Sequence, residues 1–301
     1  MDLRCSASDL IQNHLTMALY NHAAVWAGKP ELWPRAYWVN GHVLVDAEKM
    51  SKSKGNFLML EECVRRFSAD ATRFALAEAG DTLEDANFAI SVADSAIIRL
   101  FKEQEWSRAV LDDAAAGRLR DGPPSCFMDR AFGNQMSVLV RRADEQFGKM
   151  LWRDGLKEGF NIMQALRDFY RDWCARSDVA MLRSLVLQFV EWQTIILAPV
   201  CPHYAELVWE MMGREGSVLQ ASWPEVPEPD PWLARSFEFL QKSLKSFRES
   251  VGKVRPSAKV EEKSAYIYVE AEYVQWKQDC LVFMQGCLQG GAFPNDFVAQ
   301  V

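Results

Sequence analysis

The sequence contains no pair of cysteines spaced C-x-x-C. Its seven cysteines, at positions 5, 63, 126, 174, 201, 280 and 287, are an odd number scattered along the chain. That pattern argues against a zinc ribbon and a disulfide framework, and it fits a reducing compartment. No stretch of about 18 consecutive apolar residues occurs, so no membrane-spanning helix is expected. The opening Met1-Asp2-Leu3-Arg4 carries no apolar signal segment. Excess positive charge is lacking too. The formal net charge is −7, so a nucleic-acid partner has to be held by local basic patches against an acidic average. No internal repeat is apparent, and no carboxylate pair or Ser/His/Asp order points to a hydrolase. What remains is 301 residues with 49% apolar and 25% charged content. This is the composition of a globular protein with core enough for two or three domains.

One stretch stands out. Lys49-Met50-Ser51-Lys52-Ser53, followed by Lys54-Gly55-Asn56-Phe57, puts three lysines and two serines within six residues. Ammonium groups are mobile point charges, and hydroxyls and backbone N–H groups are donors, so such a loop can wrap a polyphosphate. A lysine-serine cluster on its own reads more ordinarily as a solvated turn between a strand and a helix. A fixed five-residue word, however, arises by chance in roughly one 300-residue chain in ten thousand.

The flanks supply the context. Leu10, Ile11, Leu15, Leu19 and Ala23 recur at helical spacing over 8–26, with Asp9 in the N-cap region. His14 and His22 lie near one face of that helix and read as packed histidines. Residues 27–35 are a loop. The β-branched and aromatic runs on either side of Asn40-Gly41 predict a hairpin over 36–45 that delivers the chain to the lysine word. Helices are expected at 58–67 and 68–79, the second capped by Ser68 or Asp70 and ended by Gly80-Asp81.

Beyond Asn87 the pattern turns helical. Apolar stripes run through Ile90, Ala93, Ile97 and Phe101; Phe132, Met136, Leu139, Ala143, Phe147 and Met150; Leu156, Phe160, Met163, Leu166, Phe169 and Trp173; and Leu182, Leu185, Phe189, Trp192 and Ile196. Residues 112–126 read as a loop. Four amphipathic helices with short connections predict an antiparallel bundle whose aromatic and Met stripes form core. A fifth helix follows Pro202. Residues 224–231 are a proline-rich acidic linker, 232–251 a further helix, and 265–269 and 272–289 a strand and helix that open a small α+β appendage.

The K-M-S-K-S word resembles the second signature of class I aminoacyl-tRNA synthetases. Four other stretches make the match narrower: Asp2-Leu3-Arg4-Cys5-Ser6, Asp9-Leu10-Ile11-Gln12-Asn13-His14-Leu15, Asn40-Gly41-His42, and the run from Ala79 to Phe88. They resemble leucyl-tRNA synthetases of the archaeal and eukaryotic cytosolic type, and the likeness extends to about residue 260. Leu197-Ala198-Pro199-Val200-Cys201-Pro202-His203 with Ser222-Trp223-Pro224 resembles the end of that family's anticodon-binding domain. The family's first signature, H-I-G-H, has no match.

The resemblance implies a mostly α chain in three parts. Residues 1–86 would be the C-terminal remnant of a Rossmann-like catalytic domain, 87–223 an antiparallel α-helical anticodon-binding bundle, and 224–301 a linker, helix and the start of the appendage. It implies a leucine–tRNA ligase acting in the cytoplasm, away from membranes, with tRNA(Leu), ATP and leucine as partners. ATP would enter as substrate with Mg²⁺, and no protein-bound metal is expected. No feature singles out a further protein partner such as a multi-synthetase assembly. Lys49 and Lys52 would be catalytic. Asp9, Lys49, Met50, Ser51, Lys52 and Ser53 would bind ATP, with Asp9 on the ribose hydroxyls; Ala7 stands where the family places a glycine. Arg141, Arg142, Arg167, Arg171 and Arg176 each read singly as the polar face of a helix, and together as phosphate contacts for tRNA. The alternative is a catalytically incomplete fragment serving only as a tRNA-binding or structural module.

Overall fold

Two small sheets open the chain. Strand β1 (Leu3–Ala7) pairs in parallel with β2 (Ala36–Asn40), in register from Leu3↔Ala36 to Ala7↔Asn40. The crossover between them is helical: a 3₁₀ turn at Ser8–Leu10, a π-helical stretch at Ile11–Leu15 and helix α1 (Thr16–Val25). His22 meets the Leu32 carbonyl at 2.9 Å, a structural contact that ties α1 to the following loop. The computed structural model describes residues 2–50, 53, 55–253, 266–267 and 272–289. The chain divides into two compact units, Met1–Ser243 and Leu244–Val301.

The expected hairpin at Asn40-Gly41 does not form. Strand β3 (Val43–Val45) belongs to the second sheet, between β4 (Glu48–Lys49), which runs antiparallel, and β5 (Ala86–Phe88), which runs parallel. The hairpin lies one step later, at Asp46-Ala47, where φ is 47° and 66°. Positive φ at both turn residues matches the twist of paired strands but strains residues other than glycine. Three bonds hold the turn: Asp46 N–H to the Phe88 carbonyl (3.1 Å), Ala47 N–H to Asn87 Oδ1 (2.7 Å) and Ile90 N–H to Asp46 Oδ1 (3.0 Å). Gly41 has a different duty. A Cβ there would sit 2.4 Å from the Glu84 carbonyl oxygen, so only glycine lets these backbones meet.

After the lysine word come α2 (Leu60–Phe67) and α3 (Ala69–Ala79). Ser68 caps α3 by accepting the Ala71 N–H, as the sequence suggests. The bundle follows: α4 (Ile90–Ala115), α5 (Phe127–Gly148), α6 (Trp152–Leu156) running through a π-helical stretch at Lys157–Ile162 into α7 (Met163–Arg176), α8 (Arg183–Leu197) and α9 (Pro202–Met211). The chain is mostly α.

The α5 and α8 stripes bury as expected, with Phe132, Met136, Leu139, Ala143, Leu182, Leu185, Phe189, Trp192 and Ile196 all in the core. Two other stripes are rotated by one residue. In α4 the buried face carries Ala93, Ala96 and Leu100, and leaves Ile97 and Phe101 exposed. In α7 it carries Met163, Leu166, Arg167, Tyr170 and Cys174, with Phe169 and Trp173 at its border.

Two buried carboxylates of the helical part are paired, as they must be when an unpaired polar group costs about 1–3 kcal/mol. Asp129, fully buried, accepts from the Tyr170 hydroxyl (2.7 Å), Arg120 (2.7 Å) and the Ser125 N–H (3.1 Å). The Tyr170 oxygen in turn accepts the Leu182 N–H, and its ring stacks on Phe132 at 4.5 Å. Asp70 of α3 does the same at the start of α9: its Oδ2 accepts the Tyr204 N–H at 2.6 Å. Arg73 donates to the Val200 and Pro199 carbonyls, each at 2.8 Å. These bonds fasten the helices after the lysine word to the far end of the bundle.

Helix α10 (Pro231–Lys253) lays Leu233, Phe237 and Leu240 against the core. In the second unit, α11 (Gln275–Gln289) is helical as predicted. Of the expected strand at 265–269, Tyr266 and Ile267 are described and are not in a strand; the rest lies outside the described residues. Cys5, Cys63, Cys126, Cys174, Cys201 and Cys287 are free thiols. Among the described residues no helix is long and apolar enough to cross a membrane.

Candidate nucleotide site and RNA-facing arginines

Parallel strands end together, and ligands of α/β sheets gather just beyond their carboxyl ends. β1 runs out at Ala7 and β2 at Asn40. Asp9 follows the first and His42 the second. His42 Nε2 lies 3.0 Å from Asp9 Oδ2, and His42 Nδ1 lies 3.4 Å from Asp85 Oδ1. The His42 backbone N–H also donates to Asp85 Oδ1, at 2.8 Å. One imidazole thus sits between two carboxylates. The close approach of Gly41 to Glu84 brings the Asp85 segment within reach.

Lys49 joins this cluster from β4. Its ammonium lies near enough to act on the Asp9 carboxyl, which is held below the ordinary carboxylate range. The causes are first a bond from Asp9's own backbone N–H and then the His42 bond; burial opposes them, and the charges of His42 and Lys49 add smaller lowering effects. Asp9, His42 and Lys49 are all open to solvent, so a ligand can reach them. Ala7 sits in extended backbone, φ −85° and ψ 155°, without strain.

The lysine word leaves β4 with the Asn56 side chain donating to the Lys49 carbonyl at 3.1 Å. Gly55, at φ 73°, supplies the left-handed turn that brings it back. Met50 is half-buried and Ser53 exposed. Ser51 and Lys52 lie outside the described residues. A hollow of about 400 Å³ behind the loop is lined by Asp46, Glu48, Glu62 and Arg66 among others. Its lining is acidic on balance.

The five arginines differ in how they are engaged. Arg141 pairs with Glu228 at 2.6 Å and Arg142 lies 3.8 Å from Glu158. Arg171 binds Asp168 and Asp172. Arg176 is exposed and has no ion-pair partner among the described residues. Arg167 corrects the expectation. It is buried, its Nη1 2.5 and 2.6 Å from the two Glu103 oxygens, and its guanidinium lies 4.2 Å from the Trp106 ring centroid. Met163 and Tyr170, four and three residues away, and Cys174, seven away, share its face on the same helix. That spacing was the signal in the sequence that Arg167 points inward.

Residues 8–97 match the family described as tRNA synthetases class I (M), and residues 129–270 match the anticodon-binding domain of tRNA ligase. A cytoplasmic leucine–tRNA ligase of Arabidopsis thaliana is 44% identical over 254 residues, which is 84% of this chain and 23% of the relative. A cytoplasmic leucine–tRNA ligase of Pongo abelii is 42% identical over 248 residues, 82% of this chain and 21% of the relative. The chain is homologous to the leucyl-tRNA synthetases. It spans about a quarter of the length of the curated relatives it matches.

A solved leucyl-tRNA synthetase from Agrobacterium radiobacter K84, in a ternary complex with tRNA and LeuAMS, superposes with a TM-score of 0.60. It is 17% identical, and the match covers 77% of this chain and 29% of that one. This likeness speaks for the fold alone. The sequence reading names Asp9 and Lys49, which the structure brings together, and assigns His42 and Asp85 no role. The clue was Asn40-Gly41-His42 directly after a strand-like run.

Proposed function

We propose that this chain carries part of a leucine–tRNA ligase: the loop that grips the leaving end of ATP and a helical body that holds tRNA(Leu). Residues 1–86 are the nucleotide-binding part, 87–223 the anticodon-binding bundle and 224–301 the linker and appendage. The observation that carries the reading is that Asp9 and His42 stand at the carboxyl ends of parallel strands with Lys49 beside them.

In the proposed reaction, a leucine carboxylate oxygen bonds to the α-phosphorus of ATP as the bond to pyrophosphate breaks. A ribose hydroxyl of the terminal adenosine of tRNA(Leu) then takes the leucyl group as an ester, and AMP leaves. Negative charge grows on the departing pyrophosphate, and ammonium groups that engage it more strongly then than in bound ATP lower the barrier. Lys49 and Lys52 serve as those cations. Ser51 and Ser53 donate to phosphate, Met50 packs the loop, and Mg²⁺ arrives with the nucleotide phosphates. Asp9, steadied by His42, takes the ribose hydroxyls. Arg141, Arg142, Arg171 and Arg176 contact RNA phosphates, and the relatives' names support a cytoplasmic location.

A second reading keeps tRNA binding and drops catalysis. The helical stretch at 8–25 buries Leu15 while Leu10, Ile11, Met17, Leu19, Tyr20 and Val25 stay exposed. Parallel sheets ordinarily have both faces covered, and among the described residues this apolar face has no layer upon it. Leucine-dependent exchange of pyrophosphate into ATP separates the two readings. Exchange by the chain, lost in Lys52→Ala, supports the ligase; no exchange beside retained tRNA binding supports the module.

A further inference from the structure

A cleft of about 500 Å³ opens between α3, the start of α4 and the α6–α7 segment. It is separate from the nucleotide cluster and lies at the junction of the two matched families. Glu78, Asn87, Arg153, Lys157 and Asn161 line it with small apolar residues between them. Arg153, Lys157 and Asn161 are spaced four apart along one helical stretch, so they follow one another down the same wall.

The charges in the cleft are unequally committed. Glu78 is bonded by Arg99 (3.2 Å) and by the Asn161 amide (3.2 Å), and Arg99 also donates to Asn161 Oδ1, so the floor is a closed, neutral network. Arg153 and Lys157 are exposed, and neither has an ion-pair partner among the described residues. Asp81 takes the Arg153 backbone N–H at 3.1 Å, which leaves the guanidinium available. Glu158, next along the helix, faces Arg142. On a chain of net charge −7, two uncommitted cations face a concavity in which Glu78, the only lining acid among the described residues, is already neutralised.

We propose that this cleft seats a backbone phosphate of RNA, a contact that fixes register without reading sequence. The proposal rests on the tRNA reading given above. Bound phosphate also lies against Asn87, whose side-chain oxygen holds the Ala47 N–H of the turn before Lys49. Seating RNA here therefore braces the segment that presents the lysine word.

The test is filter binding of a leucine tRNA transcript to the full chain across a salt series, beside competition by inorganic triphosphate. Arg153→Ala/Lys157→Ala is expected to weaken RNA binding roughly tenfold at moderate salt. The log–log salt slope should become shallower by about 1–2 units. Arg153→Lys/Lys157→Arg is expected to retain most of the affinity, and triphosphate competition is expected to be unchanged. If the wild-type chain binds and the double alanine variant binds equally with the same slope, the cleft proposal falls and the tRNA reading stands. A charge-preserving swap as weak as the double alanine, or loss of triphosphate competition without loss of RNA binding, also overturns it. If the wild-type chain binds no tRNA, both fall.

Discussion

His42 Nε2 lies 3.0 Å from Asp9 Oδ2 and joins two side chains 33 residues apart at the ends of parallel strands. Asp9 follows β1 and His42 follows β2, so the pair exists only because those strands lie side by side. Removing the imidazole takes away the second-largest influence holding the Asp9 carboxyl below its ordinary range. In His42→Ala the Asp9 pKa is predicted to rise toward the usual carboxylate value, read by carboxyl-carbon NMR titration. ATP affinity should fall severalfold. An unmoved Asp9 titration would remove His42 from its positioning role.

Gly41 is predicted to tolerate no side chain. The Cβ of Gly41→Ala would lie 2.4 Å from the Glu84 carbonyl oxygen and 2.8 Å from the Asp85 N–H nitrogen, so backbone must move. Forced repacking of this kind costs about 1–3 kcal/mol. Hydrogen exchange should quicken at His42 and Ala86, whose N–H groups are bonded across this contact, while the bundle core keeps its protection. Unchanged exchange at both amides would contradict the close approach.

Asp129 gives the bundle an acid limb. Burial pushes its pKa up, but the bonds from Arg120 and Tyr170 outweigh that and hold it at about 2. The folded value is below the unfolded one, near 4, so the stabilisation is fully present above pH 4 and is lost as pH falls toward 2. The shift corresponds to about 2 kcal/mol. Urea unfolding across that window should show this loss in the wild-type chain, with a flatter profile in Asp129→Asn, which starts less stable. Parallel profiles would assign the acid response to other groups.

Arg167 and Arg176 are predicted to separate cleanly. Arg167→Ala strands Glu103 in the core and should cost about 3–5 kcal/mol of stability. Replacing Glu103 and Arg167 together by methionine should restore most of it. Arg176→Ala should leave stability within about 0.5 kcal/mol and make the salt dependence of tRNA binding shallower by about one unit. Thermal unfolding and filter binding on the same preparations distinguish the two; a stable Arg167→Ala variant with weakened RNA binding would reverse the assignment.

Local pattern carried much of this molecule. Ser68 was legible as a cap because a hydroxyl three residues before a free amide acts through bonds a few residues long. The α8 stripe was legible because every member is apolar. What escaped is what depends on distant chain. Asn40-Gly41 has the composition of a hairpin turn, yet β2 is claimed by β1, a parallel partner more than thirty residues earlier. The actual turn is hidden behind Asp46-Ala47, whose strain is offset by Asn87 and Phe88 from the next strand. Arg167 was misplaced because charge outweighed position. His42 and Asp85 become a cluster only once both sheets are assembled.

Lys49, beside Asp9, and the lysine word that follows it are proposed to hold the phosphates of ATP. Isothermal titration of MgATP into the wild-type chain, Lys49→Ala and Lys52→Ala tests it directly, with tRNA affinity measured on the same preparations. Each lysine variant should bind MgATP at least about tenfold more weakly, the loss of one charge-assisted phosphate contact, with tRNA affinity unchanged. Equal MgATP affinity in all three proteins would contradict the account.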